Sequence, residues 1–394
     1  MTGERTLAGA LRARARAHPS TDALVEPAGR ESWRRTTFGQ LDVQADRYAA
    51  GLRRAGVREG DRVLYLLRPC ADGYAVFYAL LRLGAVPVFL DPRMGWRRLL
   101  ECIRSVGPRV ILGVPALHAL RLVAPRAFAE GRLFLTSGAV PLPGTRLLRG
   151  CLGETHGGSP VPESPDDPCF LAFTSGATGP PKGVLCTNGM VRTQLELFPR
   201  VCGWREGSAV VMCYAPFVPY AIADGLTAVL PGMDFSRPAA ARVGRIVEAV
   251  RAHGAACAFA APVVWMRLVR YCEAKGIALA GLRQAVSAGA PVPPDLHRRL
   301  RPLLHPEGDL FTPYGATEAM PLTAGAGREL DDTWEQSGRG DGTCVGTPLD
   351  GVDLRIIRVT DDAVPRWSDG LPVAPGEIGE IVVGGPMVSP SYSD

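Results

Sequence analysis

The chain has 394 residues, of which 46% are hydrophobic and 21% charged, and its formal net charge at pH 7 is +5. This length allows more than one core-forming unit, and the composition is ordinary for a globular protein, which argues against a disordered or fibrous chain. No apolar run approaches the roughly 20 residues of a membrane span, and no signal-peptide core opens the chain. We therefore expect a soluble, cytoplasmic protein.

The first part of the chain alternates predicted helices with predicted strands. One helix begins at the capping-box spacing from Thr37 to Gln40 and ends at Gly56. The other helices are predicted over residues 5–18, 74–81, 97–106 and 115–123, and the strands over 32–36, 62–67, 85–90 and 109–112. The basic face of the first helix favours contact with solvent, and a nucleic-acid patch is the less favoured alternative.

The alternation resumes in the second half of the chain. Strands are predicted at residues 209–213, 255–260 and 283–287, and helices at 242–252, 263–274 and 294–304. From about residue 346 the chain changes to short strands, at 353–359 and 379–383, between turn residues. Alternating helices and strands predict an α/β fold whose parallel sheet is covered by helices, with a small antiparallel or barrel-like unit at the end.

Cysteine and histidine residues are scattered along the chain. The ten cysteines include no Cys-x-x-Cys pair and several lie inside apolar runs, which predicts buried free thiols in a reducing compartment. No pair among the six histidines has metal-ligand spacing.

The most informative stretch covers residues 170–187, where two apolar runs flank three hydroxyl residues, three glycines and Lys182. Glycines let backbone N–H groups converge, and hydroxyls add donors, as a phosphate site requires. Lys182 is one of only two lysines, with Lys275, in an arginine-rich chain. Gly183 and a β-type run follow Lys182, unlike the hydroxyl and helix of a nucleotide P-loop. The pattern predicts a phosphate-holding loop between two strands, and the alternative is a flexible hairpin loop.

Three further segments carry polar or aromatic side chains next to predicted strands. In residues 310–319, Tyr314 could stack on a base, Thr317 could bond a phosphate and Glu318 could hold Mg²⁺; a strand-end turn is the alternative. Small residues at 286–291 leave room for a ligand or form a tight turn. The aromatics of residues 214–220 either line an apolar pocket or pack in the core.

Together these motifs are similar to those of the adenylate-forming, AMP-binding superfamily, which includes acyl-CoA synthetases, fatty-acyl-AMP ligases, adenylation domains and luciferases. Residues 174–183 match its phosphate loop, with Ala177 where Ser or Thr is usual, 314–318 its second core motif and 287–291 its adenine-side segment. Within the superfamily, softer similarities over residues 83–92, 228–238, 313–321 and 355–383 favour the β-lactone synthetases of bacterial olefin biosynthesis.

The resemblance implies a fold and a domain division. It implies that residues 1–394 are the large N-terminal AMP-binding domain, with two packed, mostly parallel sheets over about 1–340 and a β-rich, barrel-like subdomain over about 341–394. In such enzymes a ribose-binding aspartate, a hinge and a lid domain with a catalytic lysine follow. Those parts are absent here, so we expect the full protein to continue beyond Asp394.

The resemblance also implies an activity, in which a fatty or 3-hydroxy carboxylic acid attacks ATP to give acyl-AMP and pyrophosphate. It implies ATP and Mg²⁺ as cofactors, no nucleic-acid partner, and Glu318 as the metal ligand; a homodimer is left open. The residues assigned to catalysis are Lys182, Thr317 and Glu318. The residues assigned to nucleotide binding are Thr174, Ser175, Gly176, Thr178, Gly179, Lys182, Gly289, Ala290, Pro291, Tyr314, Gly315 and Thr317.

Alternatives differ in the second step and in the class of protein. The substrate's own 3-hydroxyl would displace AMP in a β-lactone synthetase, whereas a thiol would do so in an acyl-CoA synthetase. A fatty-acyl-AMP ligase is a further enzyme alternative. A nucleotide-binding module with weak activity, and a nucleic-acid or partner-binding protein, are the alternatives outside catalysis.

Overall fold

Two large sheets and the helices around them make up most of the structure, a computed structural model. It describes residues 6–29, 32–154, 164–174 and 181–393, except the side chains of Pro92 and Pro294. Within these ranges the α-helices are α1 (Leu7–Ala17), α2 (Phe38–Ala55), α3 (Ala71–Arg82), α4 (Trp96–Val106), α5 (Pro115–Val123), α6 (Asn188–Cys202), α7 (Val218–Ala223), α8 (Val243–Ala252), α9 (Pro262–Lys275), α10 (Pro294–Leu300) and α11 (Asp331–Arg339). The strands are β1 (Asp22–Pro27), β2 (Trp33–Thr37), β3 (Arg62–Leu66), β4 (Val86–Phe89), β5 (Val110–Gly113), β6 (Leu133–Thr136), β7 (Arg146–Leu147), β8 (Pro168–Phe173), β9 (Gly183–Thr187), β10 (Ala209–Met212), β11 (Thr227–Val229), β12 (Cys257–Ala260), β13 (Gln284–Ser287), β14 (Asp309–Phe311), β15 (Tyr314–Ala316), β16 (Ala319–Ala324), β17 (Thr347–Pro348), β18 (Asp353–Ile357), β19 (Glu380–Gly384) and β20 (Tyr392–Ser393).

The first large sheet has eight strands in the order β20-β9-β8-β4-β3-β5-β6-β7. Strands are parallel from β8 through to β7, whereas β9 is antiparallel to β8 and β20 is antiparallel to β9. The carboxyl ends of β4 and β8 therefore lie at the same edge of the sheet. The predicted phosphate loop leaves β8 at this edge.

The second large sheet has seven strands in the order β14-β13-β12-β10-β11-β1-β2. All neighbours are parallel except β1 and β2. Because β13 and β14 are parallel neighbours, the segments that follow Ser287 and Phe311 leave the same edge. These are the predicted adenine-side segment and the second core motif.

Helix α3 lies in the apolar layer between the two large sheets. Every residue of α3 except Asp72 is buried, as expected for a helix that is hydrophobic on all sides. Its cluster includes Val63 of the eight-stranded sheet and Val210 of the seven-stranded sheet. The buried Arg82 pairs with Asp42 and Asp46 of α2, so its charge is compensated. The core thus joins both sheets in one body.

Small antiparallel sheets complete the fold. Strands β15, β16 and β17 form one, and β18 pairs with β19 in another. The antiparallel character predicted for the end of the chain is confirmed. However, β17 pairs with β16 and β20 with β9, so strands beyond residue 341 also complete sheets built earlier in the chain. The domain boundary near residue 340 stays a prediction.

Several sequence predictions need correction or extension. The capping box of α2 is confirmed, since Thr37 and Gln40 exchange hydrogen bonds. The predicted helix over 294–304 ends at Leu300, followed by a 3₁₀ turn, Arg301–Leu303, because Pro302 cannot continue an α-helix without losing a hydrogen bond. Strand β1 and helices α6 and α11 were not predicted.

Cysteines and membrane spans can be checked directly. All ten cysteines are free and eight of them are buried, which confirms the prediction for those eight. Among the described residues, no helix is long and apolar enough to cross a membrane.

Candidate functional site

The ends of the predicted phosphate loop lie side by side at the carboxyl edge of the eight-stranded sheet. The backbone N–H of Thr174 donates to the Lys182 carbonyl at 3.1 Å, next to the Phe173–Gly183 pair of the β8–β9 ladder. A strand therefore follows the loop, as predicted, and no helix begins there. Of the predicted loop residues, Ser175, Gly176, Thr178 and Gly179 lie outside the described residues. Thr174 and Lys182 are inside and flank the loop.

Gly183 permits the close approach that brings the loop ends together. A Cβ at this position would lie 2.8 Å from the Phe173 ring and would also meet the Ser393 hydroxyl. A larger residue would force the Phe173 ring or the Ser393 side chain to move. Packing at the loop's exit thus favours glycine.

The second core motif forms a β-hairpin. Tyr314, Gly315 and Ala316 form β15, whereas the sequence predicted a loop here, and Ala316 pairs with Ala319 of β16. Thr317 and Glu318 occupy the two turn positions and are half-buried. A tight two-residue turn of this kind fixes both side chains relative to the sheet. The hydroxyl and carboxylate predicted to act on the nucleotide therefore lie together.

The adenine-side segment follows β13 at the edge from which the second motif also departs. Gly289 has φ +87°, a left-handed conformation that favours glycine, and space around its Cα is open. Ala290 and Pro291 are exposed. At the end of β13 the Ser287 hydroxyl is buried and has no hydrogen-bond partner among the described residues. Residues 289–291 and Tyr314 thus follow two neighbouring parallel strands, β13 and β14, at the same edge.

Tyr392, which the sequence analysis did not single out, links the two motifs. The Lys182 Nζ lies 4.9 Å from the centre of the Tyr392 ring. The Tyr392 hydroxyl donates to Glu318 Oε1 at 3.2 Å. Burial, and then the Glu318 charge, raise the pKa of Tyr392, so its hydroxyl stays a donor at neutral pH. The three side chains form a chain from the phosphate lysine to the candidate metal carboxylate.

Glu318 fits a magnesium site of the kind that needs phosphate oxygens to complete it. No group of three or more His, Cys, Asp or Glu residues within the described ranges could hold a metal ion by itself. Mg²⁺ is commonly bound by one or two carboxylates together with substrate phosphates. Glu318, a single carboxylate linked to Lys182 through Tyr392, is compatible with that mode.

The environment of the Cys186 thiol makes it a poor nucleophile. Burial, with a smaller contribution from the Glu318 charge, raises the pKa of the Cys186 thiol to about 12. A thiol with such a pKa is protonated at neutral pH and is a poor nucleophile. Cys186 is therefore not expected to act as a nucleophile at neutral pH.

Residues 214–220 pack largely as core. Phe217 stacks on Phe259 with ring centres 4.9 Å apart, and Tyr220 is buried. The hydroxyls of Tyr74 and Tyr78 donate to the carbonyls of Ala215 and Pro219 and tie this segment to α3. Of the two alternatives from the sequence, these contacts favour core packing.

The chain is similar to known proteins over most of its length. The family model described as AMP-binding enzyme matches residues 11–393. An olefin beta-lactone synthetase of Stenotrophomonas maltophilia is 36% identical over 90% of this chain and 64% of its own length. One of Xanthomonas campestris is 34% identical over 100% of this chain and 71% of its own length. The chain thus spans about two thirds of these relatives.

A solved structure shows the same fold. The long-chain-fatty-acid-CoA ligase FadD1 of Archaeoglobus fulgidus superimposes with a TM-score of 0.82 at 21% identity, covering 100% of this chain and 77% of that one. At this identity the similarity concerns the fold alone. It confirms the predicted pair of packed, mostly parallel sheets with helices.

Proposed function

The chain belongs to the AMP-binding enzyme family, and we propose that it activates a carboxylic acid with ATP, giving an acyl-AMP and pyrophosphate. One observation carries this proposal: Lys182 and Glu318, from separate motifs, contact the same Tyr392 side chain at one edge of the fold. An ammonium and a carboxylate so placed can act on one triphosphate and its cation.

The first step requires stabilisation of charge on the phosphates. A carboxylate oxygen of the acid bonds to the α-phosphorus while the bond from that phosphorus to pyrophosphate breaks, and pyrophosphate leaves with the electron pair. In this proposal Lys182 and the loop that begins at Thr174 would hold the β- and γ-phosphates, and Thr317 would donate to the α-phosphate. Tyr314, Gly289 and Ala290 would border the adenine. Mg²⁺, when bound to Glu318, would neutralise phosphate charge.

We extend the proposal to a 3-hydroxy fatty acid and a β-lactone product, because both curated relatives named above are olefin beta-lactone synthetases. In this second step the 3-hydroxyl oxygen attacks the acyl carbon, its proton is released, and AMP leaves with the electron pair of the broken C–O bond. The product is the acid minus one water.

The experiment is acid-dependent exchange of labelled pyrophosphate into ATP, with fatty acids, 3-hydroxy acids and amino acids as the panel. We expect exchange with 3-hydroxy and simple fatty acids and none with amino acids. Absence of exchange with every acid, despite ATP binding, would favour a nucleotide-binding module. Mass analysis of the 3-hydroxy acid reaction should show loss of water; a stable thioester formed with added CoA would instead favour an acyl-CoA synthetase.

A further inference from the structure

Tyr392 lies on a short segment that bridges the two core motifs. This bridging segment, residues 388–393, pairs with β9 through Tyr392 and Val184. At its other end Val388 pairs with Ala319, and the Ser389 N–H donates to the Glu318 carbonyl at 2.7 Å. The backbone position of Tyr392 is therefore set from both sides, by the strand that follows Lys182 and by the hairpin that carries Glu318.

The ring and the hydroxyl of Tyr392 contact different partners. The ring faces the Lys182 ammonium at 4.9 Å, a distance typical of a cation–π contact. The hydroxyl donates a hydrogen bond to Glu318 Oε1 at 3.2 Å. One side chain thus restrains a flexible lysine and fixes the orientation of a carboxylate.

Tyr392 thus contacts two side chains of opposite charge. Lysine has a long, flexible side chain whose ammonium pairs readily with a nearby carboxylate. With the Tyr392 hydroxyl on Oε1, no hydrogen bond from a described residue occupies Oε2 of Glu318, which is open to another ligand. Without the tyrosine, both groups would have more conformations open to them, including a direct ion pair that neutralises both.

We propose that Tyr392 is a positioning residue of the nucleotide site: its hydroxyl orients Glu318 for Mg²⁺ and its ring holds Lys182 at the phosphate loop. This inference rests on the proposed function, because it takes Glu318 as the magnesium carboxylate. Hydrogen-bond partners of metal-binding carboxylates commonly affect metal affinity about tenfold or more when removed.

The test measures ATP binding by calorimetry without an acid substrate, first in EDTA and then across a magnesium series. Tyr392→Phe keeps the ring and loses the hydroxyl. We expect its ATP Kd in EDTA to stay within about twofold of the parent. The magnesium concentration that gives half of the full effect on ATP binding, called the magnesium midpoint, should rise about tenfold. Tyr392→Leu loses both groups, so we expect the EDTA Kd to rise about two- to fivefold as well. Tyr271→Phe, on α9 and outside the candidate site, should change neither value.

A second variant shows whether the effect passes through Glu318. Glu318→Gln alone should raise the magnesium midpoint, and adding Tyr392→Phe should raise it no further, as a double-mutant cycle requires. Suppose that Tyr392→Phe has the same thermal unfolding as the parent and leaves the magnesium midpoint unchanged, while Glu318→Gln shifts the midpoint. The inference is then wrong and the proposed function stands. An equal shift by Tyr392→Phe in the Glu318→Gln background would also overturn it. If Glu318→Gln has no effect, the metal assignment fails and the inference fails with it.

Discussion

Lys182 is the residue to which the proposed function assigns the clearest role. In a chain with 44 basic residues, lysine occurs only at positions 182 and 275. A compact, strongly hydrated ammonium suits a phosphate group that it must follow during a displacement. Lys182 follows the loop directly, and its carbonyl closes the loop by accepting from Thr174.

Replacing Lys182 by alanine should weaken ATP binding about tenfold to hundredfold, the effect of losing a hydrogen bond to a charged group. The matched control is Lys275→Ala at the exposed end of α9, which should bind ATP like the parent. Calorimetry gives both affinities, and thermal unfolding checks the fold. Equal affinities for the two variants would remove Lys182 from the phosphate site.

The β8–β9 junction is the element that positions the phosphate loop, and Gly183 tests it. Gly183→Ala would bring a Cβ within 2.8 Å of the Phe173 ring, so we expect the free energy of unfolding to fall by about 1–3 kcal/mol. We also expect weaker ATP binding, because the loop ends must move apart. The control is Gly281→Ala, because a Cβ added at Gly281 would have no neighbouring atom within 4 Å. A destabilisation no larger than that of the control would show that the junction is not tightly packed.

A polar network joins α10, β14 and α11 away from the candidate site. Asp309 is buried, and His297 Nε2 lies 3.2 Å from its Oδ1. The backbone N–H groups of Leu310 and Arg328 donate to the same carboxylate. Burial alone would raise the pKa of Asp309, but these hydrogen bonds outweigh it and lower the pKa below its usual range.

A lowered carboxyl pKa predicts a specific dependence of stability on pH. The folded state binds this proton less readily than the unfolded state, so the stabilisation is present above the unfolded pKa of about 3.9 and is lost as pH falls through the lower folded pKa. Asp309→Asn should therefore reduce stability at pH 7 by about 1.5–3 kcal/mol. The difference in the free energy of unfolding between Asp309→Asn and the parent should become smaller below about pH 4.

Thermal unfolding of the parent and of Asp309→Asn, at pH 7 and at acid pH, measures this difference in stability. Asp350→Asn, at a side chain that is 95% exposed, is the control and should differ little from the parent at either pH. If the stability difference between Asp309→Asn and the parent does not change with pH, the ionised Asp309 carboxylate is not what the network stabilises.

At the scale of the whole molecule, the sequence predicted the fold class and the order of most elements because helix and strand periods are local properties. The continuous apolar run of β3 and the capping box of α2 are two such signals. Strand β1 was missed because it has only three consecutive apolar residues before Glu26 and Pro27. Helix α11 was missed because Trp334 is its only buried residue.

The candidate site residues that the sequence indicated lie in compact motifs, whereas Tyr392 does not. Lys182, Thr317 and Glu318 lie in dense local patterns of glycine, hydroxyl and charge. Tyr392 is separated from Glu318 by 74 positions and lies in a two-residue strand, so no local pattern marks it. Its contacts arise only when the bridging segment pairs with β9, which is a property of the folded chain.

We propose that a carboxylate oxygen of the acid attacks the α-phosphorus of ATP in the site formed by Lys182 and Glu318. A 3-hydroxy fatty acid labelled with oxygen-18 in its carboxylate tests this attack, with hydroxylamine added to cleave any acyl-AMP at the acyl carbon. We expect a hydroxamate together with AMP that carries one labelled oxygen on its phosphate. Unlabelled AMP, or ADP with the label in released phosphate, would contradict it.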